Sequence, residues 1–355
     1  MKETLFTVGP VEMYPEVLKV GGEQLPYFRT EDFSRIVLAC DESLRRLADA
    51  PEGSRSVFLT CSGSGAMEAA VINLIDQNDR VLIINGGSFG ERFCEICSDH
   101  GIPFDSLDVV PGRDFDPDRL ASLDLRPYRA LLVNAHETST GALYDVGAIG
   151  GICSKAGLLF VVDGISSFLC DELHMDRMHI DLLITSSQKA LGLAPGLSTV
   201  ILSPRALEDL EARTPRTHYL SLKRHLSDML RGQTPFTPAV GVILQMHARL
   251  QSLGAEGAGA SVERCGALAR HFRQAISALP FLPFAERPSN ALTALSPADG
   301  RSAFDAFLEL KDRFGLVVTP NGGPLRDRVF RVGHMGNLHE ADLDRLITAL
   351  RSISK

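Results

Sequence analysis

The sequence contains no tryptophan, and aromatic residues make up only 6% of its 355 positions, so its core must be built chiefly from aliphatic side chains. Positive charge is not in excess either. Lys and Arg number 36 against 44 Asp and Glu, a net charge of −8, which argues against an extended nucleic-acid surface. No stretch approaches the roughly 20 apolar residues that a membrane span requires. The opening Met1-Lys2-Glu3-Thr4-Leu5 carries no apolar signal core, and the chain reads as cytoplasmic, with no membrane partner. Seven scattered cysteines, an odd number, form no disulfide framework. Cys94 and Cys97 have the spacing of a redox or zinc half-site. They lie in a helical run, Glu91 to Cys97, and no second Cys/His pair sits at finger spacing. Thiols turned toward the core are therefore expected, and no metal site.

What the chain does have is 45% hydrophobic content over a length at which one core usually gives way to two. Short apolar runs alternate with amphipathic helical stretches, the pattern of a mostly parallel sheet covered by helices. Strands are expected at Val57 to Thr60, Val81 to Ile84, Ala130 to Asn134, Leu159 to Val162, Leu182 to Thr185 and Thr199 to Leu202. Such unbroken apolar runs suit strands buried on both faces. Helices are expected at Ala66 to Ile75, Gly90 to His100 and Val146 to Ala156. Beyond about residue 240 the character changes. A Gly-rich interruption at residues 254–259 precedes a helix to Leu279. A Pro-rich connection follows, then helices at Arg301 to Arg313 and His339 to Ser352, with strands near Leu292, Leu316 and Val329. The expected organisation is a large domain over residues 1–250 with a small α/β domain over 251–355.

Three features carry chemistry. Lys189 follows Ser186-Ser187-Gln188 and precedes the Gly/Pro-rich stretch Ala190 to Gly196. Placed just after an apolar strand, its ammonium would be partly desolvated, which favours the neutral amine needed for imine formation and proton shuttling. Asp163 ends a strand of apolar residues, where a carboxylate needs a cationic partner or several donors. Ser62-Gly63-Ser64-Gly65 follows another strand and opens a helix, offering backbone amides to a phosphate. Each has a plain alternative: a surface lysine, an Asp that caps the next helix, a Gly/Ser packing turn. No Walker lysine follows the glycine turn, which disfavours a nucleotide loop. Together the three supply what pyridoxal phosphate needs: a Schiff-base lysine, a carboxylate for the pyridine nitrogen and a phosphate cradle.

In their order these residues resemble the class V, or alanine-glyoxylate type, aminotransferases of the type I pyridoxal phosphate fold, over nearly the whole chain. Thr7-Val8-Gly9-Pro10 is similar to the family's Gly-Pro segment, and Phe28-Arg29-Thr30-Glu31-Asp32-Phe33 resembles its His-Arg-x-x-Phe motif with Phe28 in place of histidine. The resemblance implies that Gly9, Arg29 and Arg331 bind substrate, the last from Phe330-Arg331-Val332-Gly333. It implies that Ser64, Gly65 and Ala66 hold the cofactor phosphate with Gln188, and that Phe89 stacks on the pyridine ring. Thr138, in His136-Glu137-Thr138-Ser139-Thr140-Gly141, would bond the phenolic oxygen. Asp163 and Lys189 would be the catalytic pair. Thr234, in Gln233-Thr234-Pro235, would reach the partner subunit's phosphate in a homodimer. The implied activity is ping-pong transfer of an amino group to pyruvate or glyoxylate from a small donor of the alanine, serine or 2-aminoethylphosphonate type. Arg29 could equally be a structural ion pair beside Glu31 and Asp32. A pyridoxal phosphate lyase of the cysteine desulfurase kind is the alternative, and it would need a reactive cysteine. The one cysteine after Lys189 is Cys265, in a helical run. A non-catalytic relative of the fold is a third reading, against which the intact Asp163, Gln188, Lys189 and Arg331 argue.

Overall fold

A computed structural model describes residues 3–254 and 257–354. Seven strands form the central sheet, in the spatial order Arg55–Leu59, Ser198–Leu202, Leu182–Ser186, Leu159–Asp163, Ala130–Asn134, Val81–Asn85 and Phe104–Asp108. Ser198–Leu202 runs antiparallel to both neighbours, and the remaining pairs are parallel. The three strands from Ala130, Leu159 and Leu182 are buried along their whole length, as their unbroken apolar sequences require. Parallel pairing aligns their carboxyl ends: Asn134 lies opposite Asp163, and Asp163 opposite Ile184. Loops carrying the chemistry therefore gather at one edge of the sheet, the usual ligand position in open α/β folds.

Helices cover both faces and start and stop where the sequence tells them to. Val146–Ala156 begins with Asp145 accepting from the Ala148 amide and ends at Gly157 in the left-handed region, φ 73°. In Glu31–Leu47 the buried residues Phe33, Val37, Cys40, Leu44 and Leu47 recur at alternating spacings of four and three, a single apolar stripe. Cys94 and Cys97 sit on the helix Ser88–Asp99 and are buried; burial pushes the Cys97 thiol up to about 12.

A second, five-stranded sheet has the order Thr4–Phe6, Leu316–Pro320, Phe330–Gly333, Leu292–Pro297 and Phe281–Pro283. The helices Gly257–Ala275, Ala303–Phe314 and Glu340–Ile353 pack on it around Phe272, Phe281, Phe330, Leu346 and Leu350. Three elements differ from the sequence-based expectation, the simplest being Phe281–Pro283, an edge strand where a Pro-rich connection was expected. The N-terminal segment, grouped there with the large domain, gives its strand to this second sheet, with Thr4–Phe6 parallel to Leu316–Val318. Phe104–Asp108 was not expected as a strand. It closes the edge of the large sheet and is mostly half-buried, so its polar residues hide the apolar run by which the other strands are recognised.

Candidate active site

Lys189 is held in a loop that bonds to itself. Ser187 Oγ donates to the Ala194 carbonyl at 2.7 Å, the Ser187 amide to the Leu197 carbonyl at 2.9 Å, and the Gly192 amide to the Lys189 carbonyl at 2.8 Å. Gly192 has φ +65°, and a Cβ there would lie 2.7 Å from the Tyr14 ring, so only glycine lets the N-terminal segment close over the loop. Lys189 is 8% exposed, the one buried lysine among the described residues. Burial lowers its pKa to about 8, opposed by the nearby Asp163 charge. Nζ donates to the Val8 carbonyl at 2.5 Å. Gly9 follows at φ +129°, and a Cβ on it would stand 2.8 Å from Lys189 Cδ. The expected substrate residue Gly9 therefore also makes room for the lysine side chain.

Asp163 ends its strand inside the same cavity. Its Oδ1 accepts from the Ile165 amide at 2.8 Å. Burial pushes its pKa up to about 6, moderated first by that amide and then by Lys189. Ser64, Phe89, Thr138 and Gln188 line the cavity with Asp163 and Lys189. Gln188 Oε1 accepts from Ser186 Oγ at 2.8 Å, which turns the amide group's donors to other uses. Ser62 and Gly63 of the expected phosphate turn line the wall too, and so do residues given no role from sequence: Met67, Ile165, Ser166 and Arg92. Arg92 was recoverable, since it lies one helical turn after Phe89 and so shares its face. Its guanidinium sits 4.8 Å from the Phe89 ring centroid, and Nη1 donates to Ser64 Oγ at 3.1 Å.

Two helix N-termini meet here and are treated differently. At Ser88–Asp99, Glu137 is fully buried and its carboxylate accepts from the amides of Phe89 at 3.2 Å and Gly90 at 3.1 Å, as well as from Asn134 Nδ2 and the Ser139 amide. This carboxylate caps the helix from another segment and fixes Phe89 relative to Thr138. Gly63–Leu74 has no side-chain cap. Its first amides, next to Arg92, suit an anion such as a phosphate. The amides of Gly65 and Ala66 bond back to the Ser62 carbonyl at 2.9 and 3.3 Å, and neither residue lines the cavity. Of the expected phosphate residues, Ser64 lines the cavity, together with Ser62 and Gly63 of the same turn, and Gly65 and Ala66 do not.

Arg331 lies behind Thr138. Its Nη1 donates to the Thr138 carbonyl at 3.1 Å and its Nη2 to the Pro320 carbonyl at 2.6 Å. It forms no ion pair among the described residues, and burial lowers its pKa to about 10. A buried guanidinium held by neutral carbonyls is suited to take a substrate carboxylate. Arg29 and Thr234 are elsewhere. Arg29 is exposed, and its Nη1 donates to Gln233 Oε1 at 3.0 Å and to the Thr234 carbonyl at 2.6 Å. Its partners within the chain are thus Gln233 and Thr234 rather than Glu31 and Asp32. Thr234 Oγ1 donates to the Phe236 carbonyl at 2.6 Å. Neither residue lines the cavity of its own chain. A wider cleft of about 580 Å³, between Asn85–Ser88 and Asn321–Arg328, contains neither Lys189 nor Asp163.

A desolvated lysine, a buried carboxylate and an uncapped helix start beside an arginine fit pyridoxal phosphate at its aldehyde, pyridine nitrogen and phosphate respectively. The comparisons with known proteins agree. The soluble hydrogenase small subunit of a Synechococcus species is 31% identical over 359 residues, covering 99% of this chain and 93% of that one. The L-aspartate–glyoxylate aminotransferase of Paracoccus denitrificans is 28% identical, covering 95% and 87%. The solved aspartate aminotransferase of subgroup IV from Thermus thermophilus superposes with a TM-score of 0.92 at 30% identity, covering 99% of both chains. Residues 26–313 match the Aminotransferase class-V family, and the chain accordingly belongs to that family, as a pyridoxal-phosphate-dependent aminotransferase of the type I fold.

Proposed function

We propose that this enzyme moves an amino group from a small donor of the alanine, serine or 2-aminoethylphosphonate type to pyruvate or glyoxylate, in two half-reactions at one site. The observation that carries the reading is the buried pair itself: Lys189 with its pKa brought down to about 8 and Asp163 with its own raised to about 6, in one cavity. Relatives bearing the names alanine–glyoxylate aminotransferase and 2-aminoethylphosphonate–pyruvate transaminase, 29% and 31% identical, support the choice of oxo acid.

Lys189 would hold the cofactor through its aldehyde and carry a proton to and from the substrate Cα. Its lowered pKa serves both tasks, because the neutral amine is the nucleophile and the base. Asp163 would hold the proton on the pyridine nitrogen. Pyridoxal phosphate, when bound, supplies the electron sink for negative charge at Cα. Thr138 would donate to the phenolic oxygen, and Phe89 and Ile165 would confine the ring. The Gly63 and Ser64 amides, Gln188 and Arg92 would hold the phosphate, and Arg331 would grip the substrate carboxylate. We further propose a cytoplasmic homodimer in which Thr234 reaches the partner subunit's site; the position of Thr234 away from its own cavity supports that assignment.

The lyase alternative would need a reactive thiol, which the cysteines disfavour: Cys265 is buried in the helix Gly257–Ala275, and burial pushes the part-exposed Cys61 thiol up to about 11. A screen of alanine, serine, aspartate and 2-aminoethylphosphonate against pyruvate and glyoxylate tests the reading. Donor alone should convert the bound cofactor to its amino form and oxo acid alone should restore it. If no donor does so while cysteine, with a thiol added as reductant, yields alanine and sulfide, the lyase reading replaces this one.

A further inference from the structure

His136, Ser166 and Thr138 form a hydrogen-bonded row that ends in the cavity wall. Thr138 Oγ1 lies 2.8 Å from Ser166 Oγ, and Ser166 Oγ lies 2.9 Å from His136 Nδ1. All three residues are buried. Thr138 and Ser166 line the cavity with Lys189 and Asp163, whereas His136 is not part of its wall.

The direction of the protons along this row follows from its surroundings. Burial, with the neighbouring positive charges of Lys189, Arg331 and Arg273, holds the His136 pKa down at about 3, so the imidazole is neutral and carries one N–H. Its Nε2 is buried with no partner among the described residues. A proton there would leave an unmet donor, the rarer and costlier kind of orphan. With the proton on Nδ1, only a lone pair goes unused. Nδ1–H therefore donates to Ser166 Oγ. Ser166 in turn can donate to Thr138 Oγ1 at 2.8 Å or to the His136 carbonyl at 3.4 Å, and the shorter contact is the better bond. Thr138 Oγ1 then accepts from behind and keeps its own proton for the cavity. Donors aligned in one direction polarise one another.

We infer that His136 and Ser166 are positioning residues that fix the Thr138 hydroxyl as a hydrogen-bond donor to the phenolic oxygen of bound pyridoxal phosphate. The inference rests on the proposed placement of that oxygen against Thr138. A donor at the oxygen favours its ionised form. Breaking the row favours the protonated chromophore, and the pKa of the chromophore must rise.

The test is a pH titration of the visible absorbance of the holoenzyme in four variants. Ser166→Ala and His136→Leu should raise the apparent pKa of the bound chromophore by about one unit, a tenfold gain in proton affinity. Ser166→Thr keeps the hydroxyl and His136→Asn keeps an N–H donor, so both should titrate near wild type. A folded Ser166→Ala or His136→Leu holoenzyme, with wild-type Tm and cofactor content, whose chromophore titrates as wild type does, overturns the inference. Either variant alone suffices, should the other not fold. A wild-type protein that gains no visible chromophore from pyridoxal phosphate overturns instead the reading beneath it, so the two failures are distinguishable.

Discussion

The Val8 carbonyl oxygen accepts from Lys189 Nζ at 2.5 Å, while the Val8 amide donates to Thr319 Oγ1 at 3.0 Å. One peptide segment thus ties the lysine to the second sheet. Lys189 carries a folded-state pKa of about 8, below its ordinary 10.5, so its amine is protonated below that pH and free above it. Capture of pyridoxal phosphate by the apoprotein should accelerate about tenfold per pH unit up to about pH 8 and level off above. Stopped-flow absorbance measures this, and a rate that is flat across the range would show that the neutral amine is not limiting.

Asp163 has the opposite shift, about 6 in the fold against 3.8 without it. Its ionised form is therefore the penalised one. The penalty is absent below about pH 4, grows between about 4 and 6, and is complete above 6. Asp163→Asn should stabilise the apoprotein at neutral pH by up to about 3 kcal/mol and leave it unchanged near pH 4. The same variant should slow the amino-donor half-reaction by roughly a hundredfold or more, because the pyridine proton loses its partner. Urea unfolding at the two pH values and single-turnover kinetics check the two halves of this prediction separately.

Glu137 caps the helix Ser88–Asp99 from a neighbouring segment. Glu137→Gln removes the charge from a carboxylate buried against backbone amides, and a loss of about 2–3 kcal/mol is expected. Phe89 moves with the helix start, so the near-ultraviolet dichroism of the bound cofactor should weaken as well. Lower stability with unchanged dichroism would confine Glu137 to the fold.

Arg331→Lys should leave cofactor binding intact and raise KM for every carboxylate substrate by roughly tenfold or more. An ammonium cannot bridge the Thr138 and Pro320 carbonyls and still present a planar fork. Unchanged Michaelis constants for all donors and acceptors would place the carboxylate clamp elsewhere.

The large sheet was legible because six of its seven strands carry an unbroken run of three or four apolar residues. Phe104–Asp108 was not, since an edge strand alternates with polar residues. The N-terminal strand, three residues long, is defined by its partner Leu316–Val318 and not by its own pattern. In the site, Lys189, Asp163, Phe89, Thr138 and Gln188 were found from strand ends and motif order. Ser166, Ile165 and Glu137 were not, because their roles depend on which loops meet across strands distant in sequence. The phosphate turn was legible as a Gly/Ser turn before a helix, but not that the Gly65 and Ala66 amides bond back within its first helical turn.

The central claim is that Lys189 holds the cofactor covalently. Borohydride reduction of the holoenzyme, followed by proteolysis and mass spectrometry, tests it most directly. The account predicts pyridoxyl label on the peptide containing Lys189, the one buried lysine among the described residues, and none in Lys189→Ala. Label on another lysine, or equal labelling of Lys189→Ala, would contradict it.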